Sequence, residues 1–176
     1  MSKPKEQVVH VEYDVSYLPI PNKVEVVVTG ELAPAELTKT AFMIPVCDDG
    51  GIIIAVNQRR GLEIAGGHIE ADETAEDAAF REAVEETGTT VSNIAPIGFL
   101  RMTSTAESAP ECYAYPFPLS YQQFFAGSVE NIEPYTDNDE CSAPVKIFDM
   151  QDRRITRKSI TLFGNAALKS VLGYIG

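Results

Sequence analysis

Five consecutive apolar residues, Ile52 to Val56, directly follow the turn sequence Asp48-Asp49-Gly50-Gly51. A strand with no polar positions must be covered on both faces, so this run predicts a sheet with further layers on each side. The segment Thr40 to Cys47 lies just before the turn and has the composition of a strand. Together, Thr40 to Cys47 and Gly51 to Gln58 predict an antiparallel pair at the centre of the fold.

A second pair of strands is predicted near the start of the chain. Val8 to Val15 and Lys23 to Thr29 are rich in valine with interleaved polar residues, and Pro19 to Asn22 between them has the composition of a turn. We therefore expect a β-hairpin over about residues 8–30. If this hairpin lies outside the core sheet, it could pair across a two-fold axis in a homodimer.

The remaining periodicity predicts both strands and helices. Expected elements are strands at Val91 to Met102, Cys112 to Phe117 and Val145 to Phe148, a short helix at Ser120 to Ala126, a mobile acidic loop at Ser128 to Ser142, and an amphipathic helix at Ser159 to Tyr174. The chain has 176 residues, which is enough for one domain with its own hydrophobic core and short for two domains. The prediction is one α+β domain over residues 1–176.

The charge of the chain excludes several kinds of partner. Its 14 Lys and Arg residues against 26 Asp and Glu residues give a formal net charge of -12. Such a chain is repelled by nucleic-acid backbones and by acidic membrane surfaces unless a cation intervenes. No run of residues is long and apolar enough for a membrane span, and the first ten residues are polar, so we expect a cytoplasmic protein.

The three cysteines, Cys47, Cys112 and Cys141, are widely spaced and include no CxxC pair. An odd number at such spacing indicates free thiols rather than a disulfide framework or a zinc site.

An acidic helix is predicted after Gly66-Gly67. Thr74 or Asp72 is a candidate N-cap, and Gly88 follows as a C-cap. Ala75, Ala79 and Ala83 form one stripe on this helix, and Glu82, Glu85 and Glu86 project together from a different face. Like charges at this spacing repel each other, and the C-terminal end of a helix favours cations, so the arrangement lowers helix stability.

Two explanations of the three glutamates remain open at this point. They form a solvated surface, or they bind a hard divalent cation. Mg²⁺ takes carboxylate oxygens, water and substrate phosphate oxygens, which a cluster of carboxylates on a rigid helix can complement. The glycine pair can expose a backbone carbonyl as a further ligand, because glycine tolerates backbone conformations that other residues avoid.

The spacing of these residues resembles the signature of the Nudix hydrolase family, which includes the MutT-like enzymes. That signature is Gly-x5-Glu-x7-Arg-Glu-aliphatic-x-Glu-Glu-x-Gly-aliphatic, and residues 67–89 match it from Gly67 through Glu73 to the run Arg81 to Gly88. The departures are Thr89 in place of an aliphatic residue, Asp72 in place of a frequent glycine, and Ala65 in place of a frequent proline. None of them removes a metal ligand of the family. The resemblance implies the Nudix fold, a mixed β-sheet sandwiched between α-helices.

The resemblance also implies roles for individual residues. Glu82, Glu85 and Glu86 would bind Mg²⁺ or Mn²⁺, and the Gly66 carbonyl would complete the coordination. Arg81 would orient a neighbouring glutamate, with Glu73 paired to it or stabilising the helix start. Glu70, in the loop before the helix, is either a contact to a second metal ion or a solvated carboxylate. The general base varies in this family and is either a signature glutamate or an acid on a later loop. The candidates on the later loop are Glu140, which we favour, Asp139 and Glu133.

By resemblance, the expected activity is metal-dependent hydrolysis of a diphosphate bond in a nucleoside diphosphate linked to another moiety. Nucleoside triphosphates, nucleotide sugars and dinucleotides all remain open as substrates. The alternatives are a catalytically silent nucleotide-sensing or protein-binding module and an isomerase of isoprenoid diphosphates, although a silent module would be expected to lose signature glutamates that this chain retains. Five aromatic residues are candidates for a surface that stacks the base, although aromatic residues at strand positions more often belong to the core: Tyr13, Tyr17, Phe99, Tyr113 and Phe125.

Overall fold

A computed structural model describes residues 6–135 and 140–173. Nine strands lie in one sheet: β1 Gln7–Tyr13, β2 Asn22–Val28, β3 Thr38–Val46, β4 Ile52–Asn57, β5 Gly61–Glu63, β6 Ala65–His68, β7 Thr89–Ser104, β8 Leu119–Ile132 and β9 Cys141–Ile147. The helices are α1 Ala75–Thr87 and α2 Lys158–Leu172, with a short 3-10 helix at Ala35–Leu37.

The sheet is mixed. Its main path runs β1-β2-β7-β8-β3-β4-β5, while β6 pairs with β3 and β9 pairs with β4. The pairing of β3 with β8 is parallel, and the other pairings are antiparallel. β3 pairs with β8, β4 and β6, so it is a central strand of the sheet.

Alternate residues of β3 contact different helices. Ala41 and Met43 pack with Phe125 of β8 against α1, whereas Ile44 belongs to the cluster on the opposite face, which includes Phe163 of α2. Successive side chains of a strand point to opposite faces, so one strand can serve both layers. The predicted class, a mixed sheet sandwiched between helices, is confirmed.

A stack of three phenylalanine rings joins the sheet to α2. The ring centroids of Phe42 and Phe124 lie 4.7 Å apart, and those of Phe124 and Phe163 lie 4.0 Å apart. Phe163 is completely buried, and its neighbours on the same stripe, Ile160 and Ala167, are buried with it. Tyr174, the last residue of the helix predicted from the sequence, lies outside the described residues.

Both predicted strand pairs are present. β1 and β2 form an antiparallel hairpin, and β2 pairs along its whole length with β7, so the hairpin is continuous with the main sheet. β3 and β4 pair only at Val46 and Ile52, beside the turn, and β4 then continues between β5 and β9. Residues Ile52 to Ala55 are buried, as the apolar run predicted. A homodimer stays a prediction.

The short helix expected at Ser120 to Ala126 is wrong, because these residues belong to β8. Gln123 is buried there, and its side chain accepts a hydrogen bond from Ala33 N and donates to Gly98 O. Contacts across the sheet therefore determine the conformation of a segment whose local sequence also suits a helix.

The strand expected at Cys112 to Phe117 is also wrong. This segment is part of an irregular connection between β7 and β8, and Cys112 has a positive φ of 62°. Prolines at 110, 116 and 118 remove backbone donors that a sheet would need.

The loop expected at Ser128 to Ser142 is shorter than predicted. β8 continues to Ile132 because β7 begins directly after α1 and pairs Thr89 with Ile132. The last strand, expected at Val145 to Phe148, already begins at Cys141, where β9 pairs with Asn57 of β4. Residues 136–139 lie outside the described part of the chain.

Cys47, Cys112 and Cys141 form no disulfide bonds with one another. Within the described ranges, none of the helices has the length and apolar character needed to cross a membrane.

Candidate active site

Local signals determine where α1 begins and ends. Thr74 is the N-cap, and it forms a capping box with Asp77: the Thr74 hydroxyl accepts from Asp77 N at 3.1 Å, and the Asp77 carboxylate accepts from Thr74 N at 3.1 Å. Gly88 ends the helix in the left-handed conformation at φ 65°, a conformation that glycine adopts without strain. Both caps were predicted, with Thr74 rather than Asp72 in the first position.

Small side chains bring α1 close to the sheet. Ala78, Ala79 and Ala83 are completely buried against the cluster that includes Ala41 and Met43 of β3. Because the helix contributes only methyl groups to this contact, its backbone approaches β3 and the neighbouring strand β6 closely. The signature glutamates on the adjoining face of α1 therefore lie beside the glycine pair of β6.

The glycine pair is needed because other groups fill the space a side chain would take. A Cβ on Gly66 would collide with the Phe42 ring and the backbone oxygen of Ala41, and a Cβ on Gly67 would collide with the Glu82 carboxylate. The backbone N–H of Gly66 donates to Oε2 of Glu86 at 3.0 Å. Glu82 and Glu86 are therefore both held against β6.

Arg81 is the centre of the polar network beside this strand. Its Nε and Nη2 donate to the two carboxylate oxygens of Glu73, at 2.7 and 3.0 Å. Its Nη1 donates to Oε1 of Glu82 at 2.8 Å and to Oε2 of Glu85 at 3.3 Å. Nη2 also donates to the backbone oxygen of His68 at 3.0 Å, which ties the helix to the end of β6.

Arg81 pairs with Glu73, as expected, and its role in orienting a neighbouring glutamate stays a prediction. The Arg81 guanidinium lowers the pKa of Glu73 to about 2, so Glu73 is ionised at neutral pH. The Glu73 carboxylate also accepts from Glu70 N at 3.0 Å, which shapes the loop before the helix. Glu70 itself is exposed in that loop.

Among the three signature glutamates, Glu86 is much less exposed than Glu85. Its side chain lies partly buried against Gly66, and burial raises the pKa of its carboxyl above the usual range, with a smaller contribution from the charge on Glu82. Glu85, by contrast, has 58% of its side chain exposed. The three glutamates therefore share one helix but differ in solvent access.

Cys141 is a neighbour of Glu86 that sequence reasoning missed. Its Sγ lies 3.7 Å from Oε1 of Glu86 as a weak donor, and burial next to this carboxylate raises the pKa of the thiol to about 11. Cys141 reaches this place because β9 pairs with β4. No local pattern could have predicted a contact between residues 55 positions apart.

The candidate general bases lie at two different places. Glu140 directly precedes β9, and its backbone oxygen accepts from Gln58 N at 2.9 Å. It is therefore the chain neighbour of Cys141, which contacts Glu86. Glu133 lies at the C-terminal end of α1, where its N–H donates to Gly88 O at 2.8 Å. Asp139, the third candidate, lies outside the described residues.

The glutamates suit a hard divalent cation in their chemistry, since carboxylate oxygens are the preferred ligands of Mg²⁺. The glycine strand leaves room for them, because a side chain at position 67 would occupy the space of the Glu82 carboxylate. Among residues 6–135 and 140–173, however, no three His, Cys, Asp or Glu side chains are close enough to share an ion. Arg81 Nη1 donates to one oxygen of Glu82 and one of Glu85, so a cation shared with Glu86 would take their other carboxylate oxygens after these side chains shift.

Comparisons with known proteins agree with this fold. The chain is 25% identical over 117 residues to the putative 8-oxo-dGTP diphosphatase YtkD of Bacillus subtilis (strain 168), covering 66% of this chain and 67% of that protein. A crystal structure of a variant of the Bacillus subtilis pyrophosphohydrolase BsRppH superposes with a TM-score of 0.67 at 21% identity, covering 96% of this chain and 100% of that one. A NUDIX hydrolase from Nitrosomonas europaea superposes with a TM-score of 0.53 at 16% identity, covering 73% of this chain and 87% of that one.

A mixed sheet between two helices is also the fold of the NUDIX hydrolase from Nitrosomonas europaea. The family model described as NUDIX domain matches residues 37–160, well over half of the chain, and the chain belongs to this family. Its enzyme class is that of the Nudix pyrophosphohydrolases.

Proposed function

We propose that this enzyme hydrolyses a diphosphate linkage in a nucleoside diphosphate linked to another moiety, and that it requires Mg²⁺ or Mn²⁺. The observation that carries the proposal is the position of Glu82 and Glu86 against the glycine strand β6. Two carboxylates beside an exposed strand end form a local excess of negative charge. An anionic diphosphate would be repelled there unless a cation lies between them.

In this proposal Glu82, Glu85 and Glu86 hold the cation, the Gly66 carbonyl contributes a further oxygen, and Glu70 is available to a second ion. The cation, when bound, neutralises phosphate charge and lowers the pKa of a bound water. Arg81 positions Glu82 and Glu85 for this purpose, and Glu73 positions Arg81. Glu140 is the proposed general base, from the start of β9.

A nucleoside triphosphate is the substrate to test first. The support is the similarity to a relative described as a putative 8-oxo-dGTP diphosphatase. Nucleotide sugars and dinucleotides contain the same diphosphate linkage and belong in the same panel. We place the activity in the cytoplasm, where such nucleotides are formed and used.

The test is hydrolysis of dGTP, 8-oxo-dGTP, ADP-ribose, a nucleotide sugar and a dinucleoside polyphosphate, each with Mg²⁺, with Mn²⁺ and with chelator. We expect metal-dependent cleavage of one class, and its loss in Glu86→Gln. Glu76→Gln is the matched control, because Glu76 is an exposed glutamate of the first turn of α1. Cleavage that persists in chelator would contradict the metal requirement. Binding without cleavage of any substrate would favour the silent sensing module instead.

A further inference from the structure

Three aromatic side chains form a partly exposed cluster beside the signature helix. The rings of His68 and Tyr115 are stacked, with centroids 5.9 Å apart and planes 21° apart, and the Tyr115 hydroxyl oxygen lies 3.3 Å from Nε2 of His68. The ring of Tyr113 meets Tyr115 edge-on at 5.7 Å. We call these three residues the aromatic cluster.

The aromatic cluster is not part of the core. His68 is exposed and both tyrosines are only partly buried, and the tyrosines belong to none of the three hydrophobic clusters that hold the sheet and helices together. The tyrosines come from the irregular connection between β7 and β8, whereas His68 comes from the end of β6. Rings from distant parts of the chain thus meet at the surface without stabilising the main core.

The position of the cluster relates it to the candidate active site. His68 directly follows Gly66 and Gly67, and its backbone oxygen accepts from Arg81 Nη2 at 3.0 Å. The same guanidinium holds Glu82 and Glu85. Arg81 therefore connects the strand that carries His68 to the helix that carries the signature carboxylates.

We propose that His68, Tyr113 and Tyr115 form the surface on which the nucleobase of the substrate stacks. The base of a nucleotide is joined to its phosphates through one ribose, so a base site must adjoin the phosphate site. Aromatic rings at a surface accept a nucleobase by stacking on its face.

The other aromatic residues considered for this role are in the wrong places. Phe99 and Phe125 are buried in the core, at 2% and 0% exposure. Tyr13 and Tyr17 are exposed, but they lie at the end of β1 and just after it, at the edge of the sheet and separated from β3 by β2, β7 and β8. Of the five aromatic residues named from the sequence, Tyr113 belongs to the aromatic cluster, and the other four do not.

The inference rests on the proposed nucleotide hydrolysis, and a direct binding measurement keeps the two separable. The chain contains no tryptophan, so Tyr115→Trp introduces a single indole reporter, and Tyr13→Trp gives a matched reporter at the far edge of the sheet. With Mg²⁺ present, we expect dGTP to quench the Tyr115→Trp emission saturably. Inorganic tripolyphosphate should leave it unchanged, and neither ligand should quench Tyr13→Trp. No quenching by saturating dGTP, or equal quenching by tripolyphosphate, overturns the inference.

A kinetic measurement distinguishes a base-stacking role from a structural one. Loss of one stacked ring costs about 1–3 kcal/mol, so Tyr115→Ala should raise KM for dGTP roughly 5- to 150-fold and leave kcat within about twofold. Tyr115→Phe keeps the ring and should retain a KM near that of the wild type. An unchanged KM in Tyr115→Ala, or an equal loss of tripolyphosphate hydrolysis, contradicts the inference. If the wild type hydrolyses none of the panel, the proposed function fails, and the fluorescence titration still decides whether the base stacks here.

Discussion

Arg81 and Glu73 form a bidentate ion pair across the turn that leads into α1, with Nε and Nη2 donating to the two carboxylate oxygens at 2.7 and 3.0 Å. Two parallel hydrogen bonds fix the plane of the guanidinium, which a single bond would leave free to rotate. The remaining nitrogen, Nη1, is thereby aimed at Glu82 and Glu85. Glu73 thus acts on the candidate metal ligands through Arg81.

The first prediction concerns this ion pair. Glu73→Gln removes the charge and Arg81→Lys removes the planar fork, so each should lower kcat/KM by roughly 10- to 100-fold, as loss of a group that orients metal ligands typically does. Steady-state hydrolysis of the best substrate, with a titration of Mg²⁺, measures the effect. Asp152→Asn is the control, because Asp152 forms a similar pair with Arg154 after β9. Equal losses in the control would mean that the effect is not specific to the site.

The second prediction concerns the pH dependence of stability. Burial raises the folded-state pKa of Glu86 above the ordinary glutamate value of 4.5. Its contribution to stability is therefore fully present below pH 4.5 and is lost as the pH rises through the folded pKa, because the protein must then bury a charge. In chelator at about pH 8, Glu86→Gln should melt at or above the wild-type temperature, and it should gain less than the wild type from added Mg²⁺.

Thermal unfolding at about pH 4 and about pH 8 checks this prediction. At the lower pH the wild-type carboxyl is protonated, so the advantage of Glu86→Gln should disappear. A variant that is less stable than the wild type at the higher pH in chelator would show that ionised Glu86 stabilises the fold without metal.

The third prediction compares the two glycines of β6. Gly66→Ala would press a methyl group against the Phe42 ring and a backbone oxygen, and such overpacking should cost about 1–3 kcal/mol of unfolding free energy. Gly67→Ala meets only the end of the flexible Glu82 side chain, so it should fold with little loss. The Gly67→Ala enzyme should nevertheless be less active, because the new methyl group displaces the Glu82 carboxylate. Denaturant unfolding measures the loss of stability in each variant, and hydrolysis rates measure the loss of activity. Full activity in Gly67→Ala would contradict the assignment of Glu82 to the active site.

The fourth prediction concerns the ring stack between the sheet and α2. Phe163 is fully buried against Phe124, so Phe163→Ala should lower the free energy of unfolding by about 3–5 kcal/mol. Phe148→Ala is the control, because Phe148 is 62% exposed and should change stability by less than about 1 kcal/mol. Urea unfolding followed by circular dichroism gives both values. Similar losses in the two variants would contradict the proposed importance of the stack.

The fifth prediction concerns the general base. Glu140→Gln should lower kcat by about 100-fold or more, since a positioned base contributes about 10²- to 10⁴-fold. Glu133→Gln is the matched comparison, because Glu133 lies at the end of α1, where its side chain accepts from Asn131 Nδ2 at 2.5 Å. Single-turnover rates at saturating Mg²⁺ measure both. An unchanged rate in Glu140→Gln with a large loss in Glu133→Gln would reverse the assignment.

Much of the sheet could be predicted because period and turn residues are local properties of the chain. The hairpin of β1 and β2, the turn between β3 and β4, and the limits of α1 each depend on residues a few positions apart. The segment Ser120 to Ala126 could not be assigned in this way, because its conformation depends on contacts of Gln123 with Ala33 and Gly98. Local propensity was the weaker influence there.

The sequence by itself determined the family and the set of candidate ligands, since Glu73, Arg81, Glu82, Glu85 and Glu86 are related by spacings within one loop and one helix. Tertiary structure alone brought Cys141 against Glu86 and Tyr115 against His68. These contacts arise from the pairing of β9 with β4 and from the course of the connection between β7 and β8. The physical reason is that helix geometry follows from neighbouring residues, whereas the position of one strand or loop beside another depends on the packing of the whole sheet.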